Sequence, residues 1–268
     1  MTGLDGLHNF RDVGGLPLTS SGTTRSGVLY RSDALSALTA TGLAQLAATG
    51  IGVIVDFRTP MERQLAPDRV PASRSVELVD LSILEGATAE LAQRVLSAGR
   101  PDPVLLEQVV QSLPTLGELY IGMLRHSAAA FAAVARLIAA SHDTAPTAVL
   151  VHCTAGKDRT GVAVALMLDA AGTARDAIVA DYAASERNLA GPWTDGMLSA
   201  MTAMGLPLTP ELRALVTGTP PAAIEQALAW VDAEHGGAAA YLRTGGATEA
   251  ELNALRERLT GRAERSPE

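Results

Sequence analysis

Apolar and polar positions along the chain follow two spacings, one typical of strands and one typical of helices. Residues 51–57 form a nearly continuous apolar run rich in β-branched side chains, which is typical of a strand buried on both faces. Shorter apolar runs over residues 28–30, 76–79 and 148–151 are also predicted to be strands. Helical patterns lie between and after these runs. The sequence therefore favours an α/β fold with a central, mostly parallel sheet of four or five strands flanked by helices.

The helical patterns are concentrated in the second half of the chain. Residues 39–48 are predicted to form a helix that ends before Gly50. Residues 116–140 are predicted to form a long alanine-rich helix, either continuous or broken once. Five more helices are predicted after Arg159, over residues 160–171, 174–188, 192–204, 221–235 and 248–259. No linker interrupts them, so we expect one domain over residues 1–262 and a frayed tail over residues 263–268.

Residues 83–116 do not fit this alternation of strands and helices. They are predicted to contain two short amphipathic helices, at residues 89–98 and 104–111, separated by a stretch rich in glycine and proline. Because this insertion follows a predicted strand end, it can fold across a site at that edge of the sheet as a lid. A packed helical excursion that does not move is the alternative.

The composition is that of a soluble globular protein. Of the 268 residues, 47% are hydrophobic and 19% are charged, which excludes a disordered or fibrous chain. The formal net charge of −8 has the wrong sign for a protein that neutralises many nucleic-acid phosphates. We therefore expect no nucleic-acid partner.

The sequence predicts neither export nor membrane insertion. The amino terminus lacks the basic start and apolar run of a secretory signal, and the longest apolar stretch, residues 128–140, is too short to span a bilayer. The single cysteine, Cys153, cannot form an intramolecular disulfide, so the fold does not require an oxidising compartment. A cytoplasmic location is expected, with secretion by a route without a signal peptide as the open alternative.

Cys153 lies where a predicted strand gives way to glycine and charge, shortly before a helix that begins near Thr160. The backbone amides of this loop, followed by the unpaired amides of the helix start, can all point inward and form an anion cradle. A bound phosphate is expected to contact the loop and the first helical turn, namely Thr154, Ala155, Gly156, Lys157, Asp158, Arg159 and Thr160.

The side chains around this loop suit phosphoryl transfer. A cradle of amides stabilises a thiolate, so Cys153 is a candidate nucleophile, and Arg159 offers a planar fork of donors for two phosphoryl oxygens. Thr160 can donate its hydroxyl to the sulfur when the sulfur leaves. His152 lies on the strand with its side chain directed away from that of Cys153, and we expect it to form a hydrogen bond behind the loop. A buried core thiol is the alternative role for Cys153.

The spacing His-Cys-x5-Arg-Thr at residues 152–160 resembles the signature of the cysteine-dependent protein tyrosine phosphatase superfamily. Further motifs are similar to the PtpB-like family of bacterial tyrosine/lipid phosphatases, at residues 9–15, 29–32, 55–58 and 241–243. The resemblance covers almost the whole chain and is absent over residues 81–116. It implies a tyrosine phosphatase-like fold and a phosphomonoesterase that acts through a phosphocysteine intermediate. Dual or triple substrate specificity, including phosphoinositides, is a further possibility that the resemblance implies.

Lys157 and Asp158 distinguish this loop from the loops of ordinary tyrosine phosphatases. A second cation beside Arg159 favours a multiply anionic substrate, and the pattern Gly-Lys-x-Arg-Thr is shared with phosphoinositide phosphatases. A surface ion pair between Lys157 and Asp158 is the alternative.

A phosphatase of this kind needs an acid to protonate the leaving oxygen. In the family that the sequence resembles, the loop aspartate has been implicated, which makes Asp158 the first candidate. Asp80 follows a predicted strand at the same edge of the sheet and is the second candidate, with a helix cap or turn as its alternative role.

The other charged motif residues are expected to be architectural. Asp12, Arg31, Asp56 and Arg58 flank strands, where ion pairs can fix the geometry of a loop. The five histidines show no ligand spacing, so the sequence implies no metal and no other cofactor.

The predicted substrates are phosphorylated proteins, phosphoinositides or small phosphate esters. Two alternatives remain open at the level of the sequence. The first is a phosphatase of a small phosphorylated metabolite, such as a nucleotide or sugar phosphate of a biosynthetic pathway. The second is a phosphate-binding pseudophosphatase.

Overall fold

A computed structural model describes residues 3–83, 114–203, 205–206 and 208–261 of the chain. Its strands form one five-stranded sheet in the order β1-β2-β5-β3-β4, and only β1 runs antiparallel to its neighbour. The strands are β1 (Arg11–Asp12), β2 (Leu29–Ser32), β3 (Ile51–Asp56), β4 (Glu77–Asp80) and β5 (Ala148–His152). The predicted mostly parallel sheet is therefore confirmed, with the two-residue β1 as an addition.

Helices cover both faces of this sheet. In chain order they are α1 (Ala40–Ala47), α2 (Pro60–Leu65), α3 (Leu116–His126), α4 (Ala128–Ala140), α5 (Asp158–Ala171), α6 (Arg175–Leu189), α7 (Pro192–Ala203), α8 (Pro210–Thr217), α9 (Pro221–His235), α10 (Ala238–Thr244) and α11 (Glu249–Thr260). The helical segment predicted over residues 116–140 is broken once, because the chain bends by 78° at Ser127 between α3 and α4. Helices α2, α8 and α10 were not predicted.

The hydrophobic core lies on both faces of the sheet. On one face, α3 to α6 and α9 to α11 pack in a large cluster around α5, where Leu166, Met167 and Leu168 are fully buried. On the other face, Leu46 of α1 packs with Ile54 of β3 in a smaller cluster. Because both faces are covered, the central strands carry the continuous apolar runs that were read from the sequence.

The order of the strands places a crevice at the carboxyl end of β5. This strand lies between β2 and β3, with His152 level with Ser32 on one side and with Asp56 on the other. Loops that leave the ends of neighbouring parallel strands in opposite directions open such a crevice in α/β sheets. The loop that starts at Cys153 lies in it.

Two sequence predictions concern residues outside the described part of the chain. Residues 84–113, which make up most of the predicted insertion, lie outside it, and so does the predicted tail at residues 263–268. Within the described part, no single helix is long and apolar enough to cross a membrane. Helices α3 and α4 taken together have the length and composition of a membrane span, but they form the bent pair described above.

Candidate active site

The carbonyl oxygens of the loop after β5 are held from outside the loop. The side-chain amide of Asn9 donates to the carbonyls of both Ala155 and Gly156, at 3.0 Å each. The guanidinium of Arg31 donates to the Gly156 carbonyl as well, at 2.8 Å. Both donors are buried, so these bonds fix the orientation of two successive peptide groups.

The preceding peptide groups are held in the same way. The carbonyl of Thr154 accepts a hydrogen bond of 3.1 Å from the backbone amide of Ala34. The carbonyl of Cys153 lies 3.2 Å from Nδ1 of His152, which must therefore carry a proton to donate. The prediction that His152 hydrogen-bonds behind the loop agrees with this contact.

These bonds determine the direction of the loop amides. In a trans peptide the N–H points opposite to the C=O, and the described residues contain no cis bond. With the carbonyls of residues 153–156 turned outward, the N–H groups of residues 154–157 face the interior of the loop. Helix α5 then begins at Asp158 and adds its own unpaired amides, so the predicted anion cradle has a structural basis.

Gly156 is required for this loop conformation. Its φ of +65° is one that side chains rarely adopt, and a Cβ placed there would lie 2.1 Å from the carbonyl oxygen of Ser32. The loop therefore approaches the end of β2 as closely as a backbone without a side chain allows.

Cys153 lies at the base of the loop with a relative exposure of 2%. In the following helical turn, the hydroxyl of Thr160 is buried and has no hydrogen-bond partner among the described residues. An unpaired buried hydroxyl is costly in a folded protein and calls for an explanation. The predicted bond to the cysteine sulfur would supply one.

Arg159 forms a two-pronged ion pair with Glu62 on the short helix α2. The Nη atoms of Arg159 lie 2.7 and 2.8 Å from the two carboxylate oxygens of Glu62, and the Thr154 hydroxyl donates to the same carboxylate at 2.6 Å. Burial raises the pKa of Glu62, but the bond and charge of Arg159 outweigh this effect and hold the pKa well below its usual range. Glu62 is therefore ionised at neutral pH.

Sequence reasoning did not find Glu62, although a local signal for its helix exists. Thr59, Pro60 and Glu62 form a capping box with proline at the first helical position, directly after β3. The capping box positions Glu62 at the same edge of the sheet as Cys153.

Lys157 points away from the loop interior. Its ammonium donates to the carbonyls of Leu215 and Gly218 at the end of α8, both at 2.9 Å, and lies 3.1 Å from Asp158 Oδ1. The alternative role, an ion pair between Lys157 and Asp158, is therefore present, but it is not a surface pair because Lys157 is only 1% exposed. These three oxygens take all three donors of the ammonium, so its contribution to the cradle is its backbone N–H.

Asp158 is the first residue of α5 and its side chain is partly exposed. Oδ1 accepts a hydrogen bond of 2.6 Å from the hydroxyl of Tyr120 on α3. The first candidate acid is thus fixed in orientation and lies next in sequence to Arg159.

Asp80 lies away from the loop. It is level with Asp56 on β3, which is level with His152 on β5, so two strand spacings, about 10 Å, separate Asp80 from the strand that leads to Cys153. Its side chain is 60% exposed and its carboxylate is 3.5 Å from Nε of Arg63. The structure therefore brings Asp158, and not Asp80, together with the loop.

Behind the loop, ion pairs form a buried support. Arg58 pairs with Asp56 at 2.9 Å, as predicted, and with Asp68 at 2.8 Å, and Nε2 of His152 is 3.1 Å from Asp68. Burial raises the pKa of Asp68, but His152 and Arg58 outweigh it and lower the pKa overall. Asp56, Asp68 and His152 are close enough to share a metal ion, but Arg58 already forms ion pairs with both carboxylates.

A second support holds Arg31. Asp181 on α6 pairs with Arg31 at 2.5 Å and with Arg11 at 2.7 Å. Asp12 differs from the prediction, because it accepts hydrogen bonds from the backbone amides of Gly14 and Gly27 and forms no ion pair among the described residues. It shapes a turn instead.

The fold and the loop define a cysteine-dependent phosphatase. Residues 2–261 match the family model described as the tyrosine phosphatase family, and the chain belongs to that family. It is an enzyme of the hydrolase class, a phosphomonoesterase of the protein tyrosine phosphatase type.

Named relatives agree with this assignment. The chain is 33% identical over 232 residues to a tyrosine-protein phosphatase from Nostoc commune, covering 85% of this chain and 73% of the relative. It is 32% identical to the triple specificity protein phosphatase PtpB from Mycobacterium tuberculosis, covering 96% of this chain and 98% of the relative. Among solved structures, P. aeruginosa TpbA is 18% identical, with 66% of this chain and 88% of that one covered. The TM-score is 0.28.

Proposed function

We propose that this enzyme hydrolyses phosphate monoesters of tyrosine side chains in proteins through Cys153. The observation that carries the proposal is the set of loop carbonyls tied outward by Asn9, Arg31, Ala34 and His152, which leaves the loop amides directed inward. Such a preorganised set of donors stabilises the charge of a transferring phosphoryl group.

The reaction has two steps. The thiolate of Cys153 attacks phosphorus and forms an S–P bond as the bond from phosphorus to the ester oxygen breaks, and Asp158 gives its proton to that oxygen. Arg159 and the loop amides hold the remaining phosphoryl oxygens. Water then forms a new P–O bond, Asp158 takes the proton of the water, and the S–P bond breaks with return of the thiolate. The Thr160 hydroxyl donates to the departing sulfur.

A second substrate class is supported by a different observation. The pattern Gly-Lys-x-Arg-Thr at residues 156–160 and the name of the relative described as triple specificity favour activity on more than phosphotyrosine. Because the Lys157 ammonium is engaged by α8, phosphoinositides would gain a second cation only if α8 releases it. We therefore rank phosphoinositides second.

The single cysteine suits a reducing compartment, so we place the enzyme in the cytoplasm. Residues 1–262 are proposed to act as one phosphatase domain without a cofactor. The substrates considered are phosphorylated proteins, phosphoinositides and small phosphate esters.

Substitution of Cys153 tests the proposed chemistry. Cys153→Ser should abolish turnover of p-nitrophenyl phosphate while the melting temperature stays close to that of the wild type. Retained turnover would contradict the proposal. Tight binding of a phosphopeptide by a wild-type protein without turnover would instead indicate a pseudophosphatase.

The two candidate acids are compared directly. Asp158→Asn should lower kcat/KM for phenyl phosphate about 100-fold, within the range of general acid catalysis. Asp80→Asn is the matched control and should stay within about twofold of the wild type, because a solvent-exposed pair of this kind contributes little. The opposite order would assign the acid to Asp80.

The substrate class is tested with a panel. Values of kcat/KM are measured for phosphotyrosine peptides, phosphoinositides in mixed micelles, and soluble sugar and nucleotide phosphates. The highest value is expected for phosphotyrosine peptides. A sugar or nucleotide phosphate in first place would support the metabolite phosphatase instead.

A further inference from the structure

Two buried tyrosines stand behind Asp158. Tyr120 on α3 donates a hydrogen bond to Asp158 Oδ1, and its hydroxyl lies 2.7 Å from that of Tyr182 on α6. The two rings meet edge to face with their centroids 5.9 Å apart. Neither ring is more than 1% exposed. Three hydrogen-bonded side chains, Tyr182, Tyr120 and Asp158, therefore connect α6 and α3 to the active-site loop.

The direction of these hydrogen bonds follows from the number of protons. A phenol has one proton to donate, and Tyr120 uses it on the carboxylate of Asp158. Tyr182 must then donate to Tyr120. Burial, together with the charge of Asp158, raises the pKa of Tyr120 well above its usual value, and burial likewise raises the pKa of Tyr182. Both phenols therefore remain protonated donors at neutral pH.

Among the described residues, the contacts of Asp158 leave one of its two carboxylate oxygens available for proton transfer. Lys157 lies 3.1 Å from Oδ1 of Asp158, the same oxygen that Tyr120 contacts. The charge of Arg31 lowers the pKa of Tyr182, and the charge of Glu186 raises it. Both contacts on Asp158 thus fall on Oδ1, which assigns the transferred proton to Oδ2.

Gly161, the residue directly after the signature motif, makes room for this arrangement. A Cβ at Gly161 would lie 3.0 Å from Cδ2 of Tyr182, tighter than ordinary packing contacts. The helix that begins with Asp158 and Arg159 therefore packs directly on the ring of Tyr182. The motif and the tyrosine pair fit each other sterically.

We propose that Tyr120 is a positioning residue that holds Asp158 in the orientation required to protonate the leaving oxygen. This inference rests on the proposed function and on Asp158 as its acid. Tyr120 keeps its own proton throughout. The proton on Asp158 Oδ2 passes to the ester oxygen as the P–O bond breaks and the S–P bond forms, and water restores it in the second step.

Leaving-group dependence tests this role, because an acid matters most when the leaving group is a poor one. The measured quantity is kcat/KM, which reports formation of the phosphoenzyme, for phenyl phosphate and for p-nitrophenyl phosphate. Tyr120→Phe should lower the value for phenyl phosphate about 10-fold more than the value for p-nitrophenyl phosphate. An equal loss on both substrates would overturn the proposal.

Tyr241→Phe is the matched control. Tyr241 is equally buried, and its hydroxyl donates to the Leu124 carbonyl at 2.7 Å rather than to Asp158. This variant should leave the ratio between the two substrates unchanged. A change in the ratio as large as that in Tyr120→Phe would contradict a specific role for Tyr120.

Two further variants keep the test decisive. In an Asp158→Asn background, Tyr120→Phe should add no further change in the ratio, whereas independent effects would be additive and would contradict the proposal. Tyr182→Phe, which removes the donor behind Tyr120, should shift the ratio about two- to threefold in the same direction. An unchanged ratio in both tyrosine variants overturns the inference even if turnover depends on Cys153, whereas turnover independent of Cys153 would refute the proposed function itself.

Discussion

Glu62 accepts hydrogen bonds from the guanidinium of Arg159 on both carboxylate oxygens, at 2.7 and 2.8 Å. This pair joins helix α2, which follows β3, to the first turn of α5, which follows β5. A planar guanidinium held at two points has a fixed plane, which is what recognition of two phosphoryl oxygens requires. Arg159 is therefore preorganised by a residue outside the signature motif.

Substitution of Glu62 tests this preorganisation. Glu62→Gln keeps the capping ability of the side chain but loses its charge, so Arg159 should lose its fixed plane. Charge-assisted hydrogen bonds contribute about 1.5–3 kcal/mol, so kcat/KM for p-nitrophenyl phosphate should fall about 10- to 100-fold. Glu118→Gln is the matched control, because Glu118 forms the same capping box with Thr115 at the start of α3. Equal kinetics in the two variants would refute the role of Glu62.

The backbone at Gly156 gives a second prediction. Gly156→Ala forces a Cβ against the Ser32 carbonyl in addition to the strained φ, so it should destabilise the fold by about 3 kcal/mol or more and abolish turnover. Gly236→Ala is the control, since Gly236 has a φ of +79° and nothing within 4 Å of its Cβ position. It should cost only about 1 kcal/mol in urea unfolding and leave activity unchanged.

Asn9 carries a third prediction. Asn9→Ala removes the donor to the carbonyls of Ala155 and Gly156, and a buried group that loses its partner costs about 1–3 kcal/mol. The peptide groups are then free to turn, so inhibition by vanadate should weaken about 10-fold. Asn253→Ala on α11, where Asn253 pairs only with Arg256 among the described residues, should leave vanadate inhibition unchanged. Unaltered inhibition in Asn9→Ala would show that the carbonyl contacts do not orient the loop.

Asp181 provides a prediction for the pH dependence of stability. Burial raises its pKa, but Arg31 and Arg11 outweigh burial and lower the pKa below its ordinary value of 3.8. A pKa that is lower in the folded state stabilises the protein in full at pH values above the ordinary pKa. This stabilisation is lost as the pH falls through the pKa of the folded state.

Asp181→Asn should therefore be destabilised by about 3–5 kcal/mol at pH 7, because it leaves Arg31 buried without its counter-charge. The difference in the free energy of unfolding between Asp181→Asn and the wild type should become smaller below about pH 4, where Asp181 of the wild type begins to be protonated and to lose its ion pairs. Urea unfolding at pH 7 and at pH 3 measures both values. A difference that does not change with pH would contradict the assignment.

The loop was predictable from sequence because its chemistry lies in one contiguous segment. The strand, the amide-rich turn and the start of α5 are neighbours in the chain, so local patterns identify Cys153, Arg159 and the cradle. The residues that hold the loop come from far away. Asn9 is 146 residues from Ala155, and Glu62 is 97 residues from Arg159. Contacts at such separations leave no periodic pattern in a single sequence.

Lys157 shows a second limit of the sequence. A lysine beside Arg159 indicates a cation near the phosphate, but the direction of its side chain depends on acceptors supplied by another element. The carbonyls at the end of α8 bind the Lys157 ammonium, so the side chain points away from the loop interior. Helix α8 itself was missed although its start carries local signals, namely Thr209 as the N-cap and Pro210 at the first helical position.

In the proposed mechanism, Cys153 carries the phosphoryl group between the two steps. The most direct measurement mixes the wild-type enzyme with 32P-labelled phosphotyrosine peptide, quenches within milliseconds in denaturant, and locates the label by peptide mapping. Up to one labelled phosphate per protein is expected, on the peptide that contains Cys153, and no label is expected in Cys153→Ser. Label on a residue other than Cys153, or turnover by the wild-type enzyme without any labelled protein, would contradict this mechanism.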